Sequence, residues 1–249
     1  MPELDDFDAR RAWDAIYAAS TPVALEPDPS TQACVTALRD LAGDGPVLEL
    51  AVGSGRVAIP LAATGVSVDG IDISPNAIEL IRSHPRGREV NASVGDISDF
   101  ALDRTYSLVY LVFNTIMNLT TQDRQVACFE RAASHLRPDG RFVIENVVPS
   151  LRRLPPGNAA VPLVVTKDYI AIDDFTDRTH RQISRTRGLV RQPDGNFSEF
   201  SAPFRYVWPA ELDLMARIAG MTLENRWAGW DRSPFTGDSD SHISVWRLT

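Results

Sequence analysis

The stretch that decides the fold is Val47-Leu48-Glu49-Leu50-Ala51-Val52-Gly53-Ser54-Gly55-Arg56. It begins as a largely apolar strand, and residues 56–64 continue with the spacing of a helix. Between the two, Gly53 and Gly55 let the chain turn tightly and let a ligand approach the backbone without meeting a Cβ. A second apolar run, residues 66–73, follows the helix and contains Asp72 near its end. The stretch therefore predicts a strand, helix, strand unit with a cofactor at its glycine turn.

The same alternation continues along the chain. Ser74 is a predicted N-cap with Pro75 at the first helical position, and Pro138-Asp139-Gly140 is expected to close a later helix. Because strands and helices alternate, we predict an α/β fold whose sheet is doubly wound and parallel, with helices on both faces. The elements are helices at residues 74–84 and 122–136 and strands at residues 89–94, 106–113 and 141–148.

Two helices are predicted before this core, at residues 8–19 and 30–42, the second with Ser30 as its N-cap. Trp13 and Tyr17 are spaced by four and therefore share one face of the first helix. They form either a lid over a bound ligand or an internal core contact.

The pattern changes after Pro162 to long runs rich in β-branched and aromatic residues, at 163–175, 179–191 and 197–208. Separated by turn signals, these runs predict an antiparallel insertion. A helix at 209–219 and a hairpin formed by residues 222–230 and 241–248 close the chain. We expect one domain over residues 1–249, divided into lid helices (1–43), a cofactor-binding core (44–148), the insertion (163–208) and the C-terminal helix and hairpin (209–249).

Charge and composition narrow the partners. The chain has 25 basic and 33 acidic residues and a net charge of −8. Without a basic stripe, this charge argues against a nucleic-acid substrate. Cys34 and Cys128 lack metal-ligand spacing, so two reduced thiols and no metal site are expected. With no run approaching ~20 apolar residues, we predict a cytoplasmic protein that does not span a membrane.

The glycine turn alone leaves the cofactor open. Residues 53–58 also fit the dinucleotide pattern G-x-G-x-x-G/A, and Asp72 is placed to accept hydrogen bonds from ribose hydroxyls in either case. Asp96, after the third strand, separates the two possibilities, because its carboxylate is placed to accept the adenine amino group, which a dehydrogenase does not require. The final hairpin also favours S-adenosylmethionine over NAD. Glu49 is an acid in an apolar strand, suited to orient the glycine backbone or the ammonium of the methionine part.

Residues 47–56, Gly70-Ile71-Asp72-Ile73-Ser74, Gly95-Asp96-Ile97 and residues 109–114 resemble the successive cofactor motifs of class I S-adenosylmethionine-dependent methyltransferases. Residues 209–212, 227–231, 234–236 and 242–245 resemble the C-terminal part of small actinobacterial-type members of that family. The resemblance implies a Rossmann-like, seven-stranded sheet. The residues it implies around the cofactor are Glu49, Ala51, Gly53, Ser54 and Gly55 at the methionine part, Asp72 at the ribose, Ile73 and Ile97 against adenine, and Asp96 at its amino group.

Ala51 departs from that pattern, since the family commonly has its first glycine there. We expect the extra methyl group to be tolerated on a backbone of negative φ, with the pocket tightened around it.

The acceptor side of the site is expected beyond the fourth strand, because ligands of such sheets bind at the carboxyl ends of the strands. Phe113, Asn114, Met117 and Asn118 should lie beside the reacting methyl group. Asn114 is the first candidate for a polar contact, with a strand-capping turn as its alternative. Glu145, at the end of strand five, is the best candidate for a catalytic base, if the reaction uses one.

The expected activity is methyl transfer to a small-molecule acceptor such as a secondary metabolite. Two alternatives stay open: a non-methylating reaction such as cyclisation on the same fold, and a non-catalytic subunit that binds a partner enzyme. The insertion is expected either to roof the acceptor pocket or to form an interface with a second copy or another protein.

Overall fold

The computed structural model of the chain describes residues 7–20, 22, 27–154, 158–177, 180–192 and 194–249. The helices are α1 (Ala9–Ala18), α2 (Pro29–Ala42), α3 (Ala58–Ala62), α4 (Pro75–Ser83), α5 (Gln122–Ser134) and α6 (Pro209–Ile218). The strands are β1 (Val47–Leu50), β2 (Val68–Asp72), β3 (Val90–Val94), β4 (Tyr106–Leu111), β5 (Leu136–Val147), β6 (Ala160–Val165), β7 (Tyr169–Asp177), β8 (Ile183–Arg191), β9 (Phe197–Arg205), β10 (Met221–Trp227) and β11 (Ser241–Leu248).

Seven strands form the central sheet in the order β10-β11-β5-β4-β1-β2-β3. Strands β1 to β5 are parallel, and β11 is antiparallel to both of its neighbours, β5 and β10. The insertion is a separate four-stranded antiparallel sheet in the order β6-β7-β8-β9. The predicted α/β fold, Rossmann-like with seven strands and an antiparallel insertion, is confirmed.

The central strands are buried on both faces, which is why their sequences are continuous apolar runs rather than alternating ones. On one face, Leu48 of β1 belongs to a cluster with Phe129 of α5 and Leu212 of α6. On the other, Val47 belongs to a cluster with Leu38 of α2. The two clusters hold the carboxyl ends of β1 to β5 together at one edge of the sheet.

Helix α2 begins earlier than predicted. Its N-cap is Asp28 rather than Ser30, and Asp28 Oδ1 accepts hydrogen bonds from the backbone N–H groups of Ser30 at 2.9 Å and Thr31 at 3.1 Å. Pro29 has no N–H to satisfy and a φ suited to the first helical position, so the cap falls on the residue before it.

Helix α3 covers only Ala58–Ala62 of the predicted 56–64. The glycine turn extends further into this segment than its apolar spacing suggested, because Gly55 has a φ of +85° and cannot belong to a right-handed helix. The shorter helix places the ligand-facing turn directly against the sheet.

Strand β5 begins at Leu136, before the residues expected to close α5. The chain enters the sheet at once because the N–H of Tyr106 donates to the His135 carbonyl at 2.8 Å. Asp139, with a φ of +63°, lies in an irregularity where pairing with β4 shifts register. The predicted turn at residues 138–140 is therefore a bulge within the strand.

The insertion has four strands where three were predicted. The expected strand at 163–175 is divided by a turn in which Thr166 Oγ1 accepts a hydrogen bond from the N–H of Tyr169 at 2.9 Å. A hydroxyl that satisfies backbone donors locally reverses the chain without glycine or proline. No helix in the described part of the chain is long and apolar enough to cross a membrane.

Candidate active site

A cavity of about 600 Å³ lies at the carboxyl ends of β1 to β5, between α1 and the inner face of the insertion sheet. This is the position at which doubly wound sheets bind their ligands. The predicted site residues that line it are Trp13, Tyr17, Ala51, Asp72, Ile73, Asp96, Ile97, Phe113, Asn114, Met117 and Asn118. The predicted residues that lie outside the lining are Glu49, Gly53, Ser54, Gly55 and Glu145.

The glycine turn has the left-handed backbone that its sequence predicts, with φ of +55° at Gly53 and +85° at Gly55. A Cβ on Gly53 would lie 2.6 Å from the hydroxyl oxygen of Tyr17, so the turn has no room for a side chain at that point. Ala51 also has a positive φ, +55°. The expectation of a negative φ at Ala51 is therefore wrong, and its methyl group sits on a backbone that favours glycine.

Asp72 connects the second strand to this turn. Its Oδ2 accepts a hydrogen bond from the N–H of Gly53 at 2.8 Å, and its Oδ1 accepts one from the N–H of Ser74 at 2.9 Å. Burial raises the pKa of this carboxyl against the opposing effect of those backbone donors. The N–H of Ile73 also acts on this carboxylate, and because a carboxylate has about four lone-pair positions, one is left for a ligand hydroxyl. Ile73 lines the cavity next to it.

Glu49 lies on β1 below the turn and is 3% exposed. The Tyr110 hydroxyl donates a hydrogen bond to Glu49 Oε2 at 2.9 Å, yet burial raises the pKa of Glu49 to about 8. The N–H of Ala58, at the start of α3, also stabilises the carboxylate form. This placement favours the predicted role in orienting the backbone around the turn.

Asp96 and Ile97 follow β3 and line the opposite end of the cavity. Asp96 Oδ1 accepts hydrogen bonds from the N–H and the hydroxyl of Ser98 at 2.8 and 2.7 Å, and its Oδ2 pairs with Arg124 at 2.6 Å. Arg124, on α5, is a site residue that the sequence analysis did not identify. It fixes the carboxylate while leaving lone pairs toward the cavity, and the contact to an adenine amino group stays a prediction.

Phe113 and Asn114 form a strained corner after β4. Their φ angles are +59° and +62°, and two successive non-glycine residues in this region carry a local energetic cost. Asn114 Oδ1 accepts a hydrogen bond from the N–H of Val147 at 2.7 Å, while the N–H of Asn114 donates to the Glu145 carbonyl at 3.1 Å. Asn114 therefore holds the corner as well as lining the cavity.

Glu145, the candidate base, is not among the residues that line the cavity. Its Oε2 accepts a hydrogen bond from the N–H of Phe113 at 2.9 Å, and its Oε1 accepts one from the Trp230 indole N–H, also at 2.9 Å. Both oxygens therefore accept hydrogen bonds from the protein, one from the corner and one from Trp230, which follows β10. These contacts indicate a positioning role for Glu145 at Phe113.

Helix α1 joins the turn to the insertion. Asp14 accepts hydrogen bonds from the Ser74 hydroxyl at 2.7 Å and the N–H of Asn76 at 3.0 Å, which attaches α1 to α4. Trp13 packs its ring 6.4 Å from that of Phe200. Tyr17 lies above the glycine turn, and burial together with the nearby carboxylates of Asp72 and Glu49 raises the pKa of its hydroxyl. Both ring side chains thus line the cavity, Trp13 also makes a packing contact, and a lid role for them stays a prediction.

The insertion contributes cavity residues that the sequence analysis did not identify individually. Alternation along β7, β8 and β9 places every second side chain on the inner face of the sheet, where several border the cavity. Those residues are Leu163, Asp173, Phe175, Ser184, Thr186, Phe204 and Tyr206.

Comparison with known proteins agrees with this geometry. A family model described as a methyltransferase domain matches residues 47–140. The CcbJ methyltransferase from Streptomyces caelestis has a similar structure, with a TM-score of 0.84 and 32% sequence identity over 98% of this chain and 100% of that chain.

Two related sequences also span most of the chain. The cypemycin N-terminal methyltransferase of a Streptomyces species is 27% identical over 98% of this chain and 97% of its own length. A ubiquinone biosynthesis O-methyltransferase of Xanthomonas oryzae pv. oryzae is 30% identical over 90% of this chain and 81% of its own length. These relatives favour methyl transfer over dinucleotide chemistry, cyclisation or a non-catalytic role. The chain belongs to the S-adenosylmethionine-dependent methyltransferases of class I and is an enzyme that uses S-adenosylmethionine as its methyl donor.

Proposed function

We propose that this enzyme methylates a small-molecule acceptor, a secondary metabolite, held between the corner at Phe113 and Asn114 and the inner face of the insertion sheet. The observation that carries the proposal is the roofed cavity of about 600 Å³, whose size is that of a small-molecule site. The names of two relatives support acceptors of this kind, one methylating the N-terminus of cypemycin and the other acting in ubiquinone biosynthesis.

We assign the cofactor half of the cavity to the residues around the glycine turn. The cavity-lining residues Ala51, after β1, Asp72, at the end of β2, and Ile97, after β3, suit a methionine part, a ribose and an adenine in that order. S-adenosylmethionine supplies an electrophilic methyl group from a positively charged sulfonium, and the sulfur becomes neutral as the methyl group leaves it. The contribution of the chain is alignment, which can account for much of the rate of such a reaction.

Asn114 is the candidate polar contact on the acceptor side, held in place by Val147 and by the Glu145 carbonyl. Glu145 supports this corner from behind through the N–H of Phe113. A rigid corner beside the methyl group limits the positions that an acceptor atom can take. We therefore propose catalysis by positioning, without a base at Glu145.

Calorimetric titration with S-adenosylhomocysteine tests the cofactor assignment, and transfer of a tritiated methyl group into candidate metabolites tests the reaction. We expect cofactor binding that weakens in Asp72→Asn and methyl transfer to small acceptors. No affinity for S-adenosylhomocysteine would refute the cofactor site. Cofactor binding with transfer only to intact proteins or nucleic acids would refute the small-molecule acceptor.

We further propose that the outer face of the insertion sheet contacts a second copy of the chain or a partner protein. Support comes from Val165, Ile172 and Leu189, which lie on the face opposite Asp173 and are 70%, 37% and 38% exposed. Sedimentation of the wild-type protein and of Leu189→Lys would detect self-association through this face. A cytoplasmic location stays a prediction.

A further inference from the structure

One carboxylate enters the cavity from its roof, which is the inner face of the insertion sheet formed by β6 to β9. Asp173 lies on β7, opposite Thr186 of β8, and both side chains line the cavity. The Thr186 hydroxyl donates a hydrogen bond to Asp173 Oδ1. The nearby lining residues Phe175 and Tyr206 are buried, with 4% and 2% exposure. The roof therefore presents an acid, held in one orientation by a hydroxyl group, together with two buried aromatic side chains.

The charges around Asp173 leave this acid without a compensating cation in the cavity. Among the described residues that line the cavity, the one basic side chain is Arg124, which pairs with Asp96 at 2.6 Å. Arg187, on the neighbouring strand, points to the outer face and approaches Asp174 at 3.8 Å. Burial raises the pKa of Asp173, as expected for a carboxylate that has lost water without gaining a positive partner.

We propose that Asp173, oriented by Thr186, binds the amino group of the acceptor, so that the small molecule methylated by this enzyme is an amine. The inference rests on the proposed function, since it assumes that the acceptor lies under the roof. At neutral pH an alkyl amine is an ammonium ion, which supplies the positive charge that the cavity lacks beside Asp173. An alcohol of the same shape can donate a hydrogen bond but brings no charge.

The same contact suits the transfer step. The ammonium first gives a proton to the Asp173 carboxylate and through it to solvent, which frees the nitrogen lone pair. That pair forms the new N–C bond as the methyl–sulfur bond breaks, and sulfur keeps the electrons of the broken bond. The nitrogen becomes positively charged again, and a carboxylate within reach favours this charge.

Asp173 could instead have a purely structural role, because an Asp–Thr pair across neighbouring strands can stabilise the sheet without touching a ligand. The two roles differ in what they predict for binding. A purely structural pair changes the stability of the roof and leaves the choice between amine and alcohol unaffected.

The test is calorimetric titration of the enzyme, loaded with S-adenosylhomocysteine and also without it, using benzylamine and benzyl alcohol as probes of equal shape. We expect the wild-type enzyme to bind the amine at least about ten-fold more tightly, the ratio that a hydrogen bond to a charged group supplies. Asp173→Asn should remove this preference while keeping the partner of Thr186. Asp174→Asn, on the outer face of the same strand, is the matched control and should retain it.

Equal binding of the two probes by the wild-type enzyme, including no binding of either, overturns the inference without any variant. An amine preference that survives in Asp173→Asn overturns it as well. Failure to bind S-adenosylhomocysteine would instead refute the proposed cofactor site. The probe titrations without S-adenosylhomocysteine keep the two outcomes separate.

Discussion

The backbone at Ala51 leads to a prediction about stability. Replacing Ala51 with glycine removes a Cβ from a residue whose φ is +55°. Most core substitutions to glycine destabilise a protein, because glycine gains more freedom in the unfolded chain than it returns on folding. At Ala51 we expect the opposite sign.

The magnitude follows from two opposing contributions. A left-handed backbone costs an ordinary residue about 1–2 kcal/mol, which glycine does not pay. The greater entropy of glycine in the unfolded chain costs about 0.5–1 kcal/mol. Ala51→Gly should therefore raise the free energy of unfolding by about 0.5–1 kcal/mol. In a chain of this size, that change raises Tm by roughly 2–4 °C per kcal/mol.

Ala63→Gly is the matched control. Ala63 is also half-buried and follows α3, but its φ is −58°. The unfolded-state entropy changes equally in the two variants, so their difference isolates the native backbone. We expect Ala63→Gly to lower the free energy of unfolding by about 0.5–1 kcal/mol. The two variants should then differ by about 1–2 kcal/mol.

Urea denaturation without cofactor gives the comparison, because a bound ligand would shift the apparent stability of each variant differently. Equal m-values are required for the midpoints to report stability alone. If Ala51→Gly loses as much stability as Ala63→Gly, the left-handed backbone at Ala51 is not strained and the reasoning fails.

Three further predictions concern the same region. Folding raises the pKa of Glu49 from 4.5 to about 8, so between these values the folded protein binds more protons than the unfolded chain, and its stability should fall as the pH rises. Glu49→Gln should flatten this fall, measured as urea midpoints between pH 5.5 and 7.5. An unchanged slope would contradict the prediction. Glu145→Gln presents an amide NH₂ to either the N–H of Phe113 or the indole N–H of Trp230, so we expect about 1–3 kcal/mol less stability. The variant should also have a lower kcat, with the pH dependence of kcat unchanged. If stability is unaffected and one limb of the pH–rate profile is lost, Glu145 is the base. Gly53→Ala should weaken S-adenosylhomocysteine binding by about ten-fold or more in calorimetry, because the left-handed backbone is strained by a Cβ and this Cβ would collide with the Tyr17 hydroxyl. Adding Tyr17→Phe should restore part of the affinity. Strictly additive effects of the two substitutions would show that the two groups do not meet.

That the residues proposed for the cofactor lie together was predictable from the sequence, because they are close in sequence. The strand before Gly53 and the Asp72 that ends the next strand lie within one strand, helix, strand unit, so local patterns specify both. The hydrogen bond from Gly53 to Asp72 spans only 19 residues. The predicted sign of φ at Ala51 was wrong, because alanine fits the apolar pattern of the strand without indicating the backbone angle. The geometry of the turn overrides the preference of alanine for a negative φ.

Glu145 shows a different limit. Its position at the end of a strand correctly predicted that it lies near the crevice. Which way its carboxylate points depends on Trp230, 85 residues further along the chain. Periodicity cannot encode a contact of that length, since it reports only which residues of one element share a face. The indole donor, and not the strand, makes Glu145 a support for the corner.

The roof extends this argument to the acceptor. Alternation along β7 separates Asp173 from Ile172, yet it does not tell which of the two faces the cavity. The face that turns toward the cavity is the one that packs against α1, where the ring of Trp13 lies 6.4 Å from that of Phe200, a residue 187 positions later in the sequence. The acceptor half of the site thus depends on contacts between distant segments, whereas the cofactor half is local. A sequence of this kind can identify its methyl donor well before its acceptor, and the side chain most informative about that acceptor, Asp173, becomes recognisable only when the roof is in place.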